Sequence, residues 1–232
     1  MKREELKFVS KWAALLWLSE NRLQDIAWEM PDADRYKQFA ISKSNGGLRI
    51  ISEPIRELKN AQGHLMRVFE CAYKPLPCSH GFVSGKSILT NANNHVRKPW
   101  VLNLDIKKFF PSIKIERVTK AISELEFIFT IESENDRYNC SVERILLEPK
   151  IVSLISNLCC FRSLSESEDP ETLHGLPQGA PTSPILSDMV ARKMDEDLLV
   201  YCEERGIEYS RYADDLSFSS HSHKDSHNFK EL

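Results

Sequence analysis

No apolar run in these 232 residues is long enough to span a bilayer. The nearest candidate, residues 12–18 within MKREELKFVSKWAALLWLSENRL, is too short, and no small-residue cleavage site follows it. The spacing of Leu6, Val9, Ala13 and Leu16 predicts an amphipathic helix that docks on a core. The six cysteines (Cys71, Cys78, Cys140, Cys159, Cys160 and Cys202) form no CxxC pair, and histidine does not cluster near them, which argues against a zinc site. Without a visible export signal, reduced thiols in a cytoplasm are expected, with no membrane partner, and the Asn139-Cys140-Ser141 sequon is irrelevant there. Internal repeats and low-complexity tracts are absent too. Net charge is small at −3, which weighs slightly against a polyanionic partner.

The distribution of charge says otherwise. Residues 35–120 hold 16 Lys/Arg against 5 Asp/Glu, a local balance of +11. Residues 121–175 hold 4 against 11, a balance of −7. A basic half beside an acidic segment suits a polyanion-binding face with a solvated region away from it, although an ordinary charged surface would read the same. With 41% hydrophobic and 28% charged residues, the chain has the composition of a globular protein with one large domain or two small ones.

Residues 4 to 30 read as one or two helices, with Ser19 a plausible N-cap for the second and Pro31 as the stop. FAISKSNGGLRIISEP alternates apolar and polar residues around Asn45-Gly46-Gly47, a strong hairpin signal. Helical period returns over residues 55 to 73. WVLNLDIKKFF then reads as an apolar strand ending in charged and aromatic residues. Helices are expected over 115 to 129, 142 to 160 and about 183 to 204, with polar loops at IESENDRYN and SLSESEDPETLHG.

SRYADDLSFSS, residues 210 to 220, sets Asp214 beside Asp215 inside an apolar stretch. Two readings fit: a polar turn between short strands, or carboxylates whose repulsion is offset by a cation shared with a third. Asp105, at the end of VLNLD, can supply that third carboxylate if its strand lies beside the Asp214 hairpin. Three hard oxygen donors with room for phosphate suit Mg²⁺, and two such ions can clamp an in-line phosphoryl transfer. Spacing alone does not make the strands neighbours.

LDIKKFFPSI, GLPQGAPTSP and RYADD, in that order, resemble the palm motifs of reverse transcriptases. NGGLRIISEP resembles the fingers segment before them, and Asn91-Ala92-Asn93-Asn94-His95 fits the NAxxH element of the retron type. The resemblance covers roughly residues 20 to 220. It implies an α/β (α+β) fold of right-hand polymerase type, with an antiparallel palm sheet backed by helices. N-terminal helices would fill 1–34, fingers 35–98 and an incomplete palm 99–232, with an acidic insert at about 163–174. After Phe218 such an enzyme is expected to continue into more palm and a helical thumb, so the resemblance implies either a fragment or a truncated gene product.

The resemblance further implies roles, position by position. Asp105 and Asp214 would be the main Mg²⁺ ligands, with Asp215 beside them and the Ile106 carbonyl completing a shell. Phe110 would exclude the sugar 2′-OH of an incoming nucleotide, where a core position beside Phe109 is the alternative. Gln178 and Gly179 would lie against nucleotide and template. Arg49, and less surely Lys43, would neutralise the triphosphate. His95 is assigned no chemistry. The implied activity is RNA-directed DNA synthesis on a structured RNA, with deoxynucleoside triphosphates as substrates, an RNA–DNA hybrid as product, and an effector protein as partner in anti-phage defence. A group II intron-type enzyme and a catalytically silent RNA-binding module are the alternatives.

Overall fold

The computed structural model describes residues 12–42, 46–133, 136–161 and 175–221. Lys43 and the acidic insert at 163–174 lie outside them. Ser19 is the N-cap expected of it: its hydroxyl accepts the Arg22 N–H at 3.3 Å and opens α1 (Glu20–Gln24). A π-helical turn (Asp25–Glu29) and a short α2 (Asp32–Arg35) follow. Leu16, Leu23 and Ile26 from this region are buried.

The predicted hairpin forms from β1 (Tyr36–Ser42) and β2 (Leu48–Pro54), antiparallel from Tyr36 opposite Pro54 to Ser42 opposite Leu48. Next comes α3 (Arg56–Ala72), which buries Leu58, Ala61, Leu65 and Phe69 at the three-and-four spacing of one helix face. A Ser87/Thr90 capping box starts α4 (Ile88–Asn93).

A three-stranded antiparallel sheet carries the centre of the molecule. Its order is β3 (Trp100–Asp105), β7 (Asp215–Ser220), β6 (Glu208–Tyr212). Between β3 and β6 the chain supplies α5 (Phe109–Ser112), α6 (Ile115–Ser123), α7 (Pro149–Cys159) and α8 (Ser183–Glu203). Strand alternation sorts the sheet's two faces. Leu102, Leu216, Phe218 and Tyr209 pack with Cys202, Met194 and Leu198 of α8. Asn103, Asp105, Ser217 and Asp215 belong to the other face, since Asn103 pairs with Ser217 and Asp105 with Asp215. A second and larger core joins α3, α6 and α7 through Leu65, Phe69, Val118, Ile122, Ile155 and Leu158. The architecture is the expected antiparallel sheet backed by helices.

One stretch departs from the expectation. Residues 126–133 and 136–146 form an antiparallel pair, β4 (Glu126–Ser133) and β5 (Asp136–Leu146), where helix ends and a polar loop were predicted. Phe127-Ile128-Phe129-Thr130-Ile131 is aromatic and β-branched throughout, which favours a pleated partner over a continued helix. Helix resumes only at Pro149, pre-set for a first helical turn. No helix among the described residues is long and apolar enough to cross a membrane. Cys71, Cys78, Cys159, Cys160 and Cys202 are free thiols.

Candidate active site

Asp105 ends β3 and Asp215 begins β7, and the two stand directly opposite each other in the ladder. Asp214 is next to Asp215 in the turn, and its carbonyl accepts the Ile106 N–H at 3.0 Å. The strand adjacency that the sequence left open therefore exists, and Asp105, Ile106, Asp214 and Asp215 share one corner of the sheet. Asp105 and Asp215 are exposed there and Asp214 is half-buried. The Asp215 carboxyl is pushed above its ordinary pKa, first by desolvation, then by the charges of Asp214 and Asp105. Among the described residues no Lys or Arg forms an ion pair with any of the three. No group of three His, Cys, Asp or Glu among those residues is already closed into metal-binding geometry. Uncompensated, mutually repelling hard oxygen donors at an open corner do fit a divalent cation such as Mg²⁺.

The turn itself is held from beneath. Tyr212 pairs with Asp215, so Ala213 and Asp214 are a two-residue connection, and Ala213 adopts a left-handed φ of 57°. That conformation costs an L-residue roughly 1–2 kcal/mol and persists only where its surroundings enforce it. Arg211, 1% exposed, donates from Nη1 to the Ala213 carbonyl at 3.0 Å. Its other nitrogens reach Asp188 at 2.6 Å and Asp195 at 2.7 Å, both on α8. Tyr73 and Ser79 also donate to Asp188, and Tyr209 donates to Asp195 at 2.7 Å. Burial opposes the Arg211 charge, but Asp195 and then Asp188 more than compensate and raise its pKa. Burial, then the neighbouring aspartate, raises the Tyr73 and Tyr209 hydroxyls as well. Sequence reading missed this network. Its signal was available: Asp188 and Asp195 are seven residues apart, two turns along one face of a helix.

The NAxxH residues are structural here. His95 bonds through Nδ1 to Ser219 Oγ at 2.6 Å and through Nε2 to Ser210 Oγ at 2.7 Å, and Ser210 donates to Asn91 at 2.8 Å. These contacts clip the α4 region onto β6 and β7. Since Ser210 donates to Asn91, it accepts from Nε2–H, and Ser219 can donate to Nδ1 of a neutral ring. Burial lowers the His95 pKa in keeping with that state.

Phe109 takes the core position, 6% exposed, while Phe110 stays half-buried at the rim. The Phe110 ring lies 5.4 Å from Phe109 and 6.1 Å from Phe82, centroid to centroid. Gln178 accepts the Ser52 N–H through its carbonyl at 2.8 Å, tying the Gly-Leu-Pro-Gln loop to β2. Gly179 is left-handed (φ 116°), and a Cβ there would stand 3.0 Å from Ile51 Cγ2, so its close approach is to the hairpin. Arg49 is exposed, two residues from Ile51 and on the same strand face. Asp105, Asp214, Asp215 and Ile106 are thus drawn together, Phe110 edges the same region through the β3–α5 connection, and Gln178, Gly179 and Arg49 form a second group around β2.

An antiparallel sheet backed by helices, with acidic residues at one corner, is the architecture of a fingers-palm fold, and comparison with known proteins supplies the family. Residues 41–231 match the model of the family described as reverse transcriptase (RNA-dependent DNA polymerase), and the chain belongs to that family. Retron reverse transcriptases are among its relatives. It is 32% identical over 192 residues to the retron Ec86 reverse transcriptase of Escherichia coli, covering 82% of this chain and 50% of the relative. It is 34% identical over 191 residues to the retron Mx65 reverse transcriptase of Myxococcus xanthus, covering 79% and 40%. The chain therefore spans half or less of the length of these relatives. Among solved structures, telomerase from Candida albicans in complex with a TWJ fragment of telomeric RNA superposes with a TM-score of 0.53 at 13% identity, over 89% of this chain and 40% of that one. That likeness is one of fold.

Proposed function

We propose that this chain is the fingers-palm portion of a retron-type RNA-directed DNA polymerase. The observation that carries the reading is the register of Asp105 opposite Asp215, with Asp214 on the adjoining turn. Residues 35–98 would act as fingers and 99–232 as palm. Asp105, Asp214, Asp215 and the Ile106 carbonyl would hold Mg²⁺, two ions in the working complex, which would neutralise phosphate charge and lower the pKa of the attacking 3′-hydroxyl. The chain's own residues do the rest. Phe110, half-buried and five residues after Asp105, would fill the space of a sugar 2′-OH and offer it no hydrogen bond. Arg49, with Lys43, would meet the triphosphate from β2, and Gln178 with Gly179 would back the nucleotide and template. Template RNA and the RNA–DNA hybrid would lie along the basic half, residues 35–120. The similarity to retron enzymes extends the proposal to RNA-linked DNA synthesis with an effector protein in anti-phage defence. The free thiols of Cys71, Cys78, Cys159, Cys160 and Cys202 fit a reducing, cytoplasmic setting.

The experiment is primer extension by residues 1–232, and by a version extended with a retron relative's thumb, on an RNA template with deoxynucleoside triphosphates and Mg²⁺. Metal-dependent DNA synthesis that disappears in Asp214→Asn is expected. Synthesis that survives Asp214→Asn, or its absence from both versions while RNA still binds, overturns the reading.

A further inference from the structure

We propose that Gly81 and Arg211 are positioning residues that fix the direction of Asp214 by holding the Ala213 backbone between them. The inference rests on the polymerase reading of the site and adds residues to it.

The segment Cys78-Ser79-His80-Gly81-Phe82 runs beside the start of the turn. Arg211 donates its N–H to the Cys78 carbonyl, and His80 donates to the Arg211 carbonyl, each at 2.8 Å. Ser79 and Arg211 thus form a parallel bridge, and the segment extends past the end of β6 towards the catalytic turn. At Gly81 the two backbones meet. A Cβ on Gly81 would stand 2.3 Å from Ala213 N and 3.0 Å from both Ala213 Cα and the Tyr212 carbonyl carbon. Gly81 is not one of the left-handed glycines, so its own backbone would accept a side chain. The turn is what forbids one. Those atoms are main chain, which cannot swing aside as a side-chain end can.

Arg211 supplies the second hold. Its Nη1 bond to the Ala213 carbonyl comes from a guanidinium whose other ends are fixed by Asp188 and Asp195. Ala213 is strained, and Asp214 is the next residue, so any relaxation of Ala213 swings the Asp214 carboxylate. The same segment continues into Phe82, itself left-handed (φ 62°), whose ring meets Phe110. One stretch of backbone therefore touches both the turn that carries Asp214 and the ring proposed to face the sugar. Its placement sets the two in register, and misplacement by about 1 Å is enough to cost on the order of 100-fold in rate.

The test uses residues 1–232 and its thumb-extended version, unchanged and as Gly81→Ala, with Gly63→Ala as control because a Cβ at Gly63 meets nothing within 4 Å. Three quantities are read: Tm, terbium(III) binding by luminescence, and kcat with KM for dTTP on poly(rA)·oligo(dT). Gly81→Ala should keep a cooperative transition and a KM within about 3-fold, lose at least about 10-fold in kcat, and bind terbium at least about 3-fold more weakly. Gly63→Ala should change neither kcat nor terbium affinity. A folded Gly81→Ala with unchanged kcat and terbium affinity overturns the inference. If the unchanged protein extends no primer, the polymerase reading fails, and terbium affinity alone decides the role of Gly81. Should Gly81→Ala fail to fold, Arg211→Lys decides by the same readouts: it keeps a cation between Asp188 and Asp195 but loses the branch that reaches Ala213. Unaltered kcat and terbium affinity in Arg211→Lys then overturns the inference.

Discussion

Two groups of aspartates meet the β6–β7 hairpin, one from α8 through Arg211 and one at its turn and the end of β3, and they are handled in opposite ways. Asp188 and Asp195 are 4% and 1% exposed, and every charge is answered by Arg211, Tyr73, Ser79 or Tyr209. Asp105 and Asp215 are exposed, Asp214 is half-buried, and none of the three is paired with a cation among the described residues. The buried pair had to be neutralised from within, because an unpaired charge in the interior costs several kcal/mol. The trio at the turn is left unpaired, and partial desolvation, then the charges of Asp214 and Asp105, hold the Asp215 carboxyl above its ordinary pKa. Compensated acids build the platform, and the uncompensated ones are those proposed to hold a metal.

The contrast can be broken by substitution. Asp105→Asn and Asp214→Asn should abolish DNA synthesis while Tm stays level or rises, since an amide keeps the shape but ligates Mg²⁺ poorly and removes repulsion. Asp215→Asn should lose activity less completely. Extension assays beside thermal melts check all three, and a large fall in Tm would move the trio into the structural class. Arg211→Met is the converse: stranding two buried carboxylates should cost about 3–5 kcal/mol in chemical denaturation. A loss below about 1 kcal/mol would mean that the buried network is not held as its distances indicate.

Phe110→Ala tests the half-buried ring beside Phe82 and Phe109. The ratio of kcat/KM for ribo- over deoxyribonucleotide should rise by about 10-fold or more, as expected for a pocket that excludes by volume. Because Phe110 is only half-buried, its stability cost should fall below the 3–5 kcal/mol or so typical of a core Phe. An unchanged ratio with a strongly lowered Tm would return Phe110 to the core.

The smallest expected effect is on pH. Burial lowers the pKa of both His80 and His95 below the ordinary 6.5. The unfolded chain then binds more protons in the window beneath that value. Stability should be full above pH 6.5 and decline as pH falls through it. Denaturant midpoints across that window check the sign, and His95→Gln should flatten part of the slope. A midpoint that climbs on acidification would contradict the neutral-ring assignment.

Much of this was readable before any fold was known. Asn45-Gly46-Gly47 between alternating strands announces β1 and β2, and the α3 face follows from the spacing of Leu58, Ala61, Leu65 and Phe69. The error at β4 and β5 has a local cause. Phe127 to Ile131 satisfies helical and pleated patterns alike, and strand pairing over 126–146 decides between them. Arg211 was hidden by its position in RYADD, where it reads as a charge flanking the acidic pair rather than as a buried cation beneath it. Gly81 looked like one glycine in a loop, since nothing local reveals that the backbone of Ala213 would occupy its Cβ.

What the sequence determined by itself was the chemistry on offer: three carboxylates, an aromatic after the first of them, and a basic half to meet a polyanion. Residue type and order fix those, because acidity, ring size and charge belong to each side chain. Tertiary structure alone decided which of the acids would be free to act. Asp188 and Asp195 carry the same side chain as Asp105 and Asp214, but the packing of α8 against β6 places Arg211 between them. The antiparallel register of β3 and β7 brings Asp105 opposite Asp215, some 110 residues away in the chain, with no ion-pairing cation among the described residues. Electrostatic energy depends on distance and burial, and sequence separation specifies neither.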